Sequence, residues 1–251
     1  MDYKSLKKVN PRLIYASVEG MGAGDQRPAF DVVLQAETGF ISMTGNEGEP
    51  YSKMPVALID LLAAHQLKQG ILLALLQREK TGRGGVVSVS LLEAGLASLA
   101  NQATNWLMAG HLPGRMGTCH PNIAPYGDSF TTADGSPFVL AIGTEKQWKA
   151  LCNLLSLPME FRSMDNLSRV ENRSSVVNAC SNSFRLKKAS DLFASFQANG
   201  IPYGEILDLA RALDRPAARN MYISEQQEGV LKKGLRSVAF KFEQGEGSED
   251  G

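Results

Sequence analysis

Pro55-Val-Ala-Leu-Ile-Asp60, with the apolar run Leu61 to Lys80, the turn Thr81-Gly-Arg-Gly-Gly85 and Val86-Val-Ser-Val-Ser90 behind it, decides the fold. Val56 to Ile59 has the character of a short buried strand. From Leu61 onward Leu, Ala and Ile recur at helical spacing for about five turns. Strand, long helix and second strand make a βαβ pattern, which predicts a parallel crossover and an α/β domain. Asp60 falls at the strand-to-helix junction. Its carboxylate can act there as an N-cap for the first helical turn, kept ionised by the positive end of the helix dipole. An aspartate at a strand end on the edge of an α/β sheet also stands where ligands bind, and it can serve as a carboxylate nucleophile. Position alone leaves both roles open.

Working outward, residues 2–9 read as the end of a helix and Leu13 to Val18 as a strand. Gly20 to Gln26 is a glycine-rich loop. Phe30 to Ile41 has helical spacing, and a polar stretch from Thr44 to Lys53 leads to the central unit. Leu91 to Met108 is a further helix ending at Gly110, where His, Pro, Gly and Arg mark a linker. Asp134-Gly135, between Ser129-Phe-Thr-Thr-Ala133 and Pro137-Phe-Val-Leu-Ala-Ile142, signals a hairpin. Thr144 and Gln147 form a capping box for a helix over Glu145 to Leu155. Helices are expected near Glu171 to Phe184, over Asp191 to Asn199 with Ser190 as cap and Gly200 as stop, and over Glu205 to Leu213. Val238 to Phe242 reads as a strand, and the acidic, Gly-rich residues 243–251 as a disordered tail. The organisation expected is a large α/β domain over 1–110, a small α+β domain over 111–204 and a return segment over 205–242.

The 251 residues carry 26 Lys plus Arg and 26 Asp plus Glu, a balance that points to neither nucleic acid nor an anionic membrane. Cys119, Cys152 and Cys180 are odd in number and widely spaced, against a disulfide framework or a structural zinc site, and fit a reducing cytoplasm. No metal or redox cofactor is expected. Leu58 to Leu76 comes closest to a membrane span, but Asp60, His65, Gln66, Lys68 and Gln69 interrupt it, so a buried amphipathic helix is predicted.

Several stretches in order, Asn10-Pro-Arg-Leu-Ile-Tyr15-Ala-Ser-Val-Glu-Gly20, Arg27-Pro-Ala-Phe-Asp31, Met43-Thr-Gly45, Asp60, Arg78-Glu-Lys-Thr-Gly-Arg-Gly84 and Ser90-Leu-Leu-Glu-Ala94, resemble the family III CoA-transferases. His120-Pro-Asn-Ile-Ala-Pro-Tyr126, Asp134-Gly135, Gln147-Trp148 and Asn166-Leu-Ser-Arg-Val-Glu-Asn-Arg173 continue the resemblance over nearly all of residues 2–223. It implies a partial Rossmann-like large domain joined to a small domain. It also implies Asp60 as nucleophile in CoA transfer from an acyl-CoA to a carboxylic acid, through an aspartyl-CoA thioester. Phe30, Asp31 and His120 are then expected at the substrate. Related α-methylacyl-CoA racemases carry a proton-accepting histidine at the position of Phe30. Phenylalanine cannot accept a proton, which favours transferase over racemase or epimerase.

Other residues carry simpler readings. His65, five residues beyond Asp60, is off its helix face and reads as structural or surface. Trp148 and Phe138 read as core. Arg78, Lys80 and Arg83 complement the helix dipole more readily than they bind CoA phosphates.

The resemblance further implies an interlocked homodimer. In family members a segment precedes the part matching Asp2-Tyr3-Lys4-Ser5-Leu6, builds half of the nucleotide-binding sheet and supplies most contacts to CoA. Two expectations follow: that this chain alone is weakly active or inactive, with a separate N-terminal half completing a split enzyme, and that its sheet edge needs a partner; the rival reading is a non-catalytic fragment that binds acyl-CoA or a partner subunit.

Overall fold

A computed structural model of the protein describes residues 2–22 and 24–243. Helix α1 (Tyr3–Val9) is capped by Asp2, whose carboxylate accepts the Ser5 N–H at 2.8 Å. There follow β1 (Ile14–Glu19), α2 (Asp31–Glu37), α3 (Phe40–Met43), α4 (Leu58–Thr81), β2 (Gly85–Ser90), α5 (Leu91–Ala97) and α6 (Ala100–Ala109). Strands β1 and β2 pair in parallel, from Ile14 with Gly85 to Glu19 with Ser90. The crossover between them is therefore the whole of α2, α3 and α4.

This corrects the strand expected at Val56 to Ile59. The Val56 carbonyl and Ile59 N–H are taken by Gln35 and Asp31 of α2, and Leu58 N–H turns back to the Val56 carbonyl, which leaves this segment no strand ladder. Helix α4 consequently starts at Leu58, and Asp60 lies in its first turn while Ala57 takes the cap position. Two further predicted helices are each divided. Phe30 to Ile41 breaks at Gly39, whose φ of +87° is costly for any residue with a Cβ. Leu91 to Met108 breaks at Ser98, whose hydroxyl donates to the Ala94 carbonyl at 2.8 Å while its N–H turns to Gly95.

Helix α4 lies on the two strands so closely that a Cβ on Gly70 would stand 2.4 Å from Val87 Cγ1. Its leucines run around the whole circumference, and a two-stranded sheet covers only one side. Ile59 and Ala63 are buried, whereas Leu61, Leu72, Leu73 and Leu76 are exposed. The expected buried, amphipathic helix is thus neither amphipathic nor fully covered. By length and apolar composition it would suffice to cross a membrane. A small core of Met21, Leu34 and Ile59 fills the space between α2 and the start of α4.

The second half contains β3 (Tyr126–Thr131), β4 (Pro137–Ala141), α7 (Glu145–Leu155), α8 (Met159–Arg162), α9 (Asn166–Glu171), α10 (Arg173–Phe184), α11 (Ala189–Ala198), β5 (Tyr203–Glu205), α12 (Leu209–Asp214) and α13 (Pro216–Arg219). Strands β3, β4 and β5 form an antiparallel sheet with β4 in the middle. The hairpin at Asp134-Gly135 and the Thr144–Gln147 capping box are both present. The predicted helix over Glu205 to Leu213 starts later, at Leu209, because Glu205 pairs with Phe138 in the sheet and Asp208 caps the helix through Arg211 N–H. Helix α11 starts at Ala189 after Lys188, and Ser190 sits inside it with its hydroxyl on Asp191 instead of capping.

The apolar core here joins Phe130, Phe138, Leu140, Trp148, Phe184 and Phe196 to α7, α10 and α11. Beneath it lies a buried cation. Arg169 donates to the carbonyls of Ala124 and Met164 at 2.8 Å each and grips Glu145 with both terminal nitrogens, while its guanidinium lies 4.9 Å from the Trp148 ring centre.

Beyond α13, β6 (Tyr222–Gln227) and β7 (Val230–Leu235) make an antiparallel ribbon exposed along its whole length. The strand expected at Val238 to Phe242 is not formed: among the described residues no ladder pairs with it. The expected disordered tail falls, apart from Glu243, outside the described residues.

Candidate active site

The first turn of a helix leaves backbone N–H groups without partners inside the helix. In α4 they are met from outside. Leu58 N–H reaches the Val56 carbonyl at 2.8 Å, and Ile59 N–H donates to Asp31 Oδ1 at 2.7 Å. Ala57, at the cap position, has no side-chain acceptor to offer. Asp31, the first residue of α2, therefore caps α4 from a different helix, the task expected of Asp60. Leu61 N–H takes the Ala57 carbonyl at 3.1 Å, so Asp60 N–H is left as the one first-turn donor without an acceptor among the described residues.

One turn along α2, fully buried Gln35 completes the arrangement. Its amide nitrogen donates to Asp31 Oδ2 at 2.5 Å and to the Val56 carbonyl at 3.4 Å, and its oxygen accepts Met54 N–H at 2.9 Å. Both faces of the Met54 to Ile59 approach are thereby bonded to one face of α2. Sequence reading passed over Gln35. The available signal was its i, i+4 spacing from Asp31, which puts two polar side chains on the same side of a short helix.

Asp60 itself is exposed and makes no side-chain hydrogen bond among the described residues. Partial desolvation at the helix start, followed by the negative charge of Asp31, pushes its carboxyl above the ordinary aspartate value. This opposes the stabilisation of the ionised form expected from the helix dipole. Such a carboxylate is more basic than an ordinary one and uncommitted to any donor, the state in which a carboxylate attacks a carbonyl carbon.

The other expected site residues are placed as follows. Phe30 is the residue before α2 and is 68% exposed, so its ring stands in solvent next to the Asp31 cap. His120 is half-buried in the loop between α6 and β3. Its Nδ1 accepts Asn122 N–H at 3.1 Å, its ring meets Tyr126 edge-on, and its carbonyl accepts from Arg173. These contacts tie His120 to the second half of the chain, and none reaches Asp60 or Asp31. The loop is joined to α6 by a reciprocal amide pair, Asn105 with Asn122 at 3.1 and 3.3 Å. His65 is exposed on α4. The structure thus brings Asp31 to the start of the helix that carries Asp60, and holds His120 by other partners.

Among the described residues no three His, Cys, Asp or Glu side chains cluster as metal ligands would. All three cysteines are free thiols, and desolvation pushes Cys119 and Cys152 up to about 11.

Comparison with known proteins puts this arrangement in context. The family model described as CoA-transferase family III matches residues 1–246. Acetyl-CoA:oxalate CoA-transferase of Acetobacter aceti is 35% identical over 242 residues, which are 93% of this chain and 61% of that protein. Succinyl-CoA:glutarate CoA-transferase of Homo sapiens is 30% identical over 93% of this chain and 54% of its own length. Among solved structures, a CAIB/BAIF family protein from Brucella suis is 32% identical with a TM-score of 0.75, covering 96% of this chain and 64% of that one. A Mycobacterium tuberculosis protein in an orthorhombic form is 25% identical with a TM-score of 0.81, over 96% of this chain and 66% of its own. The chain spans 54% to 61% of the length of these two curated relatives.

Proposed function

The chain belongs to CoA-transferase family III, and from that membership we propose that it moves CoA from an acyl-CoA to a carboxylic acid with Asp60 as nucleophile. The observation that carries the proposal is the contrast between two adjacent carboxylates. Asp31 has both oxygens hydrogen-bonded within the chain, whereas Asp60, in the first turn of α4, has neither bonded among the described residues.

In the proposed reaction an Asp60 oxygen attacks the thioester carbonyl carbon. The C–O bond forms, the C–S bond breaks, and a mixed anhydride and CoA thiolate result. The thiolate then attacks Asp60 Cγ, releasing the donor acid as its carboxylate and leaving an aspartyl-CoA thioester. The acceptor carboxylate attacks that thioester, expelling the thiolate, and the thiolate takes the acceptor acyl group from the second anhydride, restoring Asp60. Each step exchanges one leaving group for one nucleophile, so no proton acceptor is required at the position of Phe30. Asp60 N–H is the backbone donor open to a developing oxyanion at the helix start.

The names of the relatives support small acids as substrates: oxalate and acetyl-CoA in one, succinyl-CoA and glutarate in the other. The three free thiols support a reducing cytoplasm as the place of work.

Incubating the chain with acetyl-CoA or succinyl-CoA, trapping with hydroxylamine or borohydride and measuring intact mass tests the assignment. Modification mapped to Asp60 is expected. A folded chain that acquires no adduct from either thioester, both alone and with a supplied N-terminal half, would remove Asp60 as nucleophile.

The partner proposed is a second copy. The chain exposes 17063 Å², against about 11,000 Å² for a compact monomer of 27.1 kDa, and the surplus includes the leucines of α4. Light scattering on the eluted chain is expected to give twice the 27.1 kDa chain mass; a stable monomer at micromolar concentration would count against it.

A further inference from the structure

We propose that Asp31 is a positioning residue for Asp60, holding the first turn of α4 through Ile59 N–H and, with Gln35, fixing the path of residues 54–59. The proposal rests on the reading of Asp60 as nucleophile, and it assigns Asp31 a task different from the substrate contact expected of it.

Both carboxylate oxygens of Asp31 are engaged within the chain. Oδ1 accepts Ile59 N–H at 2.7 Å and Oδ2 accepts Gln35 Nε2 at 2.5 Å, so each carboxylate oxygen already has a donor. A carboxylate acceptor or the phosphates of a CoA ester would also be repelled by this charge. The orientation of the Gln35 amide follows from its partners. Met54 N–H requires an oxygen and Asp31 requires a donor, so only one of the two amide orientations satisfies both.

The consequence lies in how Asp60 is held. Ile59 precedes Asp60 directly, its side chain is fully buried against Leu34 of α2, and its N–H is bonded to Asp31. Side-chain packing and the charge-assisted hydrogen bond both fix the residue before the nucleophile, on a helix end that has no cap of its own. Without Asp31, the first turn would lose its only side-chain cap among the described residues and would fray. Asp60 would then sample orientations out of line with a thioester carbonyl. Asp31 is also the one charged group acting on the Asp60 carboxyl among the described residues. The same side chain that fixes the backbone therefore influences the basicity of the nucleophile.

Nuclear magnetic resonance on the full chain separates the hydrogen bond from the charge. The readouts are amide exchange at Ile59 and the titration of the Asp60 carboxyl carbon. In Asp31→Ala, Ile59 exchange is expected to rise about 10- to 100-fold while amides of the β3–β4 sheet stay unchanged. The Asp60 midpoint is expected to fall, because removing a neighbouring negative charge favours ionisation. In Asp31→Asn the remaining side-chain oxygen still accepts Ile59 N–H. Its amide nitrogen then meets Gln35 Nε2 with a donor in place of an acceptor, so exchange should return only part of the way toward the parent value while the Asp60 midpoint stays lowered.

Unchanged Ile59 exchange in Asp31→Ala would overturn the proposal. Should Asp31→Ala not fold, Asp31→Leu, which keeps the bulk and removes both acceptors, is read by the same exchange. Neither readout depends on acyl transfer. Failure of the parent chain to form an acyl adduct, alone and with a supplied N-terminal half, would remove the nucleophile assignment alone, whereas failure here would leave that assignment standing and Asp31 without a positioning role.

Discussion

Asp60→Asn is expected to leave the chain folded and to abolish capture of an acyl group at residue 60, lowering CoA transfer by about 10⁴-fold or more. The asparagine amide matches the carboxylate in shape, but its lone pairs are delocalised and its oxygen carries no full charge. Neither an anhydride nor an aspartyl thioester can form and turn over. Folding should be spared because Asp60 is exposed and bonded to no other side chain among the described residues. The favourable dipole interaction it loses is offset by relief from the Asp31 charge. Steady-state transfer between succinyl-CoA and a dicarboxylate, with the denaturation midpoint measured in parallel, checks both halves. Retention of more than about a tenth of the parent rate would show that another group attacks the thioester.

Arg169→Ala should be the most destabilising single change in the second half of the chain, by about 3–5 kcal/mol. The side chain is 2% exposed and its Glu145 partner 53%, so the glutamate can return to water when the arginine is removed. The Ala124 and Met164 carbonyls lose their Arg169 donors, at about 1–3 kcal/mol for each group left buried and unpaired. The Trp148 ring also loses the guanidinium stacked on it. At roughly 2–4 °C per kcal/mol for a chain of this size, the melting midpoint is expected to fall by about 10 °C or more. Arg169→Lys should recover only part of the loss, since one ammonium cannot serve two carbonyls and a carboxylate in the planar fork that Arg169 provides. A fall below about 1 kcal/mol for Arg169→Ala would mean that the carbonyls find other donors.

Local signals in the sequence carried the second half well. The Thr144–Gln147 capping box, the Asp134-Gly135 turn and the apolar spacing of α7 are each decided within a few residues, and each is found where expected. Gly82 and Gly110 likewise end α4 and α6.

What failed depended on distance along the chain. Val56 to Ile59 has strand composition, but its Val56 carbonyl and Ile59 N–H are taken by Gln35 and Asp31 of α2, more than twenty residues earlier. Asp60 has the chemistry of a cap and the right position for one, yet Asp31, 28 residues earlier in sequence, reaches Ile59 first. The residue expected to act chemically was legible from its family resemblance. Its surroundings were not, because the Asp31–Gln35 contacts are made between helices and only the i, i+4 spacing hints at them. Helix α4 was misread for a related reason: periodicity within one element cannot tell how much of its circumference the rest of the chain covers.

The ribbon of β6 and β7 has a practical consequence. Both of its outer edges present unpaired backbone groups, and Ile223, Val230 and Leu231 are more than half exposed. Such a ribbon is a template on which further strands can add, with Glu225, Lys232 and Lys233 as the charges that oppose stacking. With 26 Lys plus Arg against 26 Asp plus Glu the chain carries no net charge to keep copies apart near neutral pH, so concentrated solutions are expected to cloud there and to stay clear at a pH well away from neutrality.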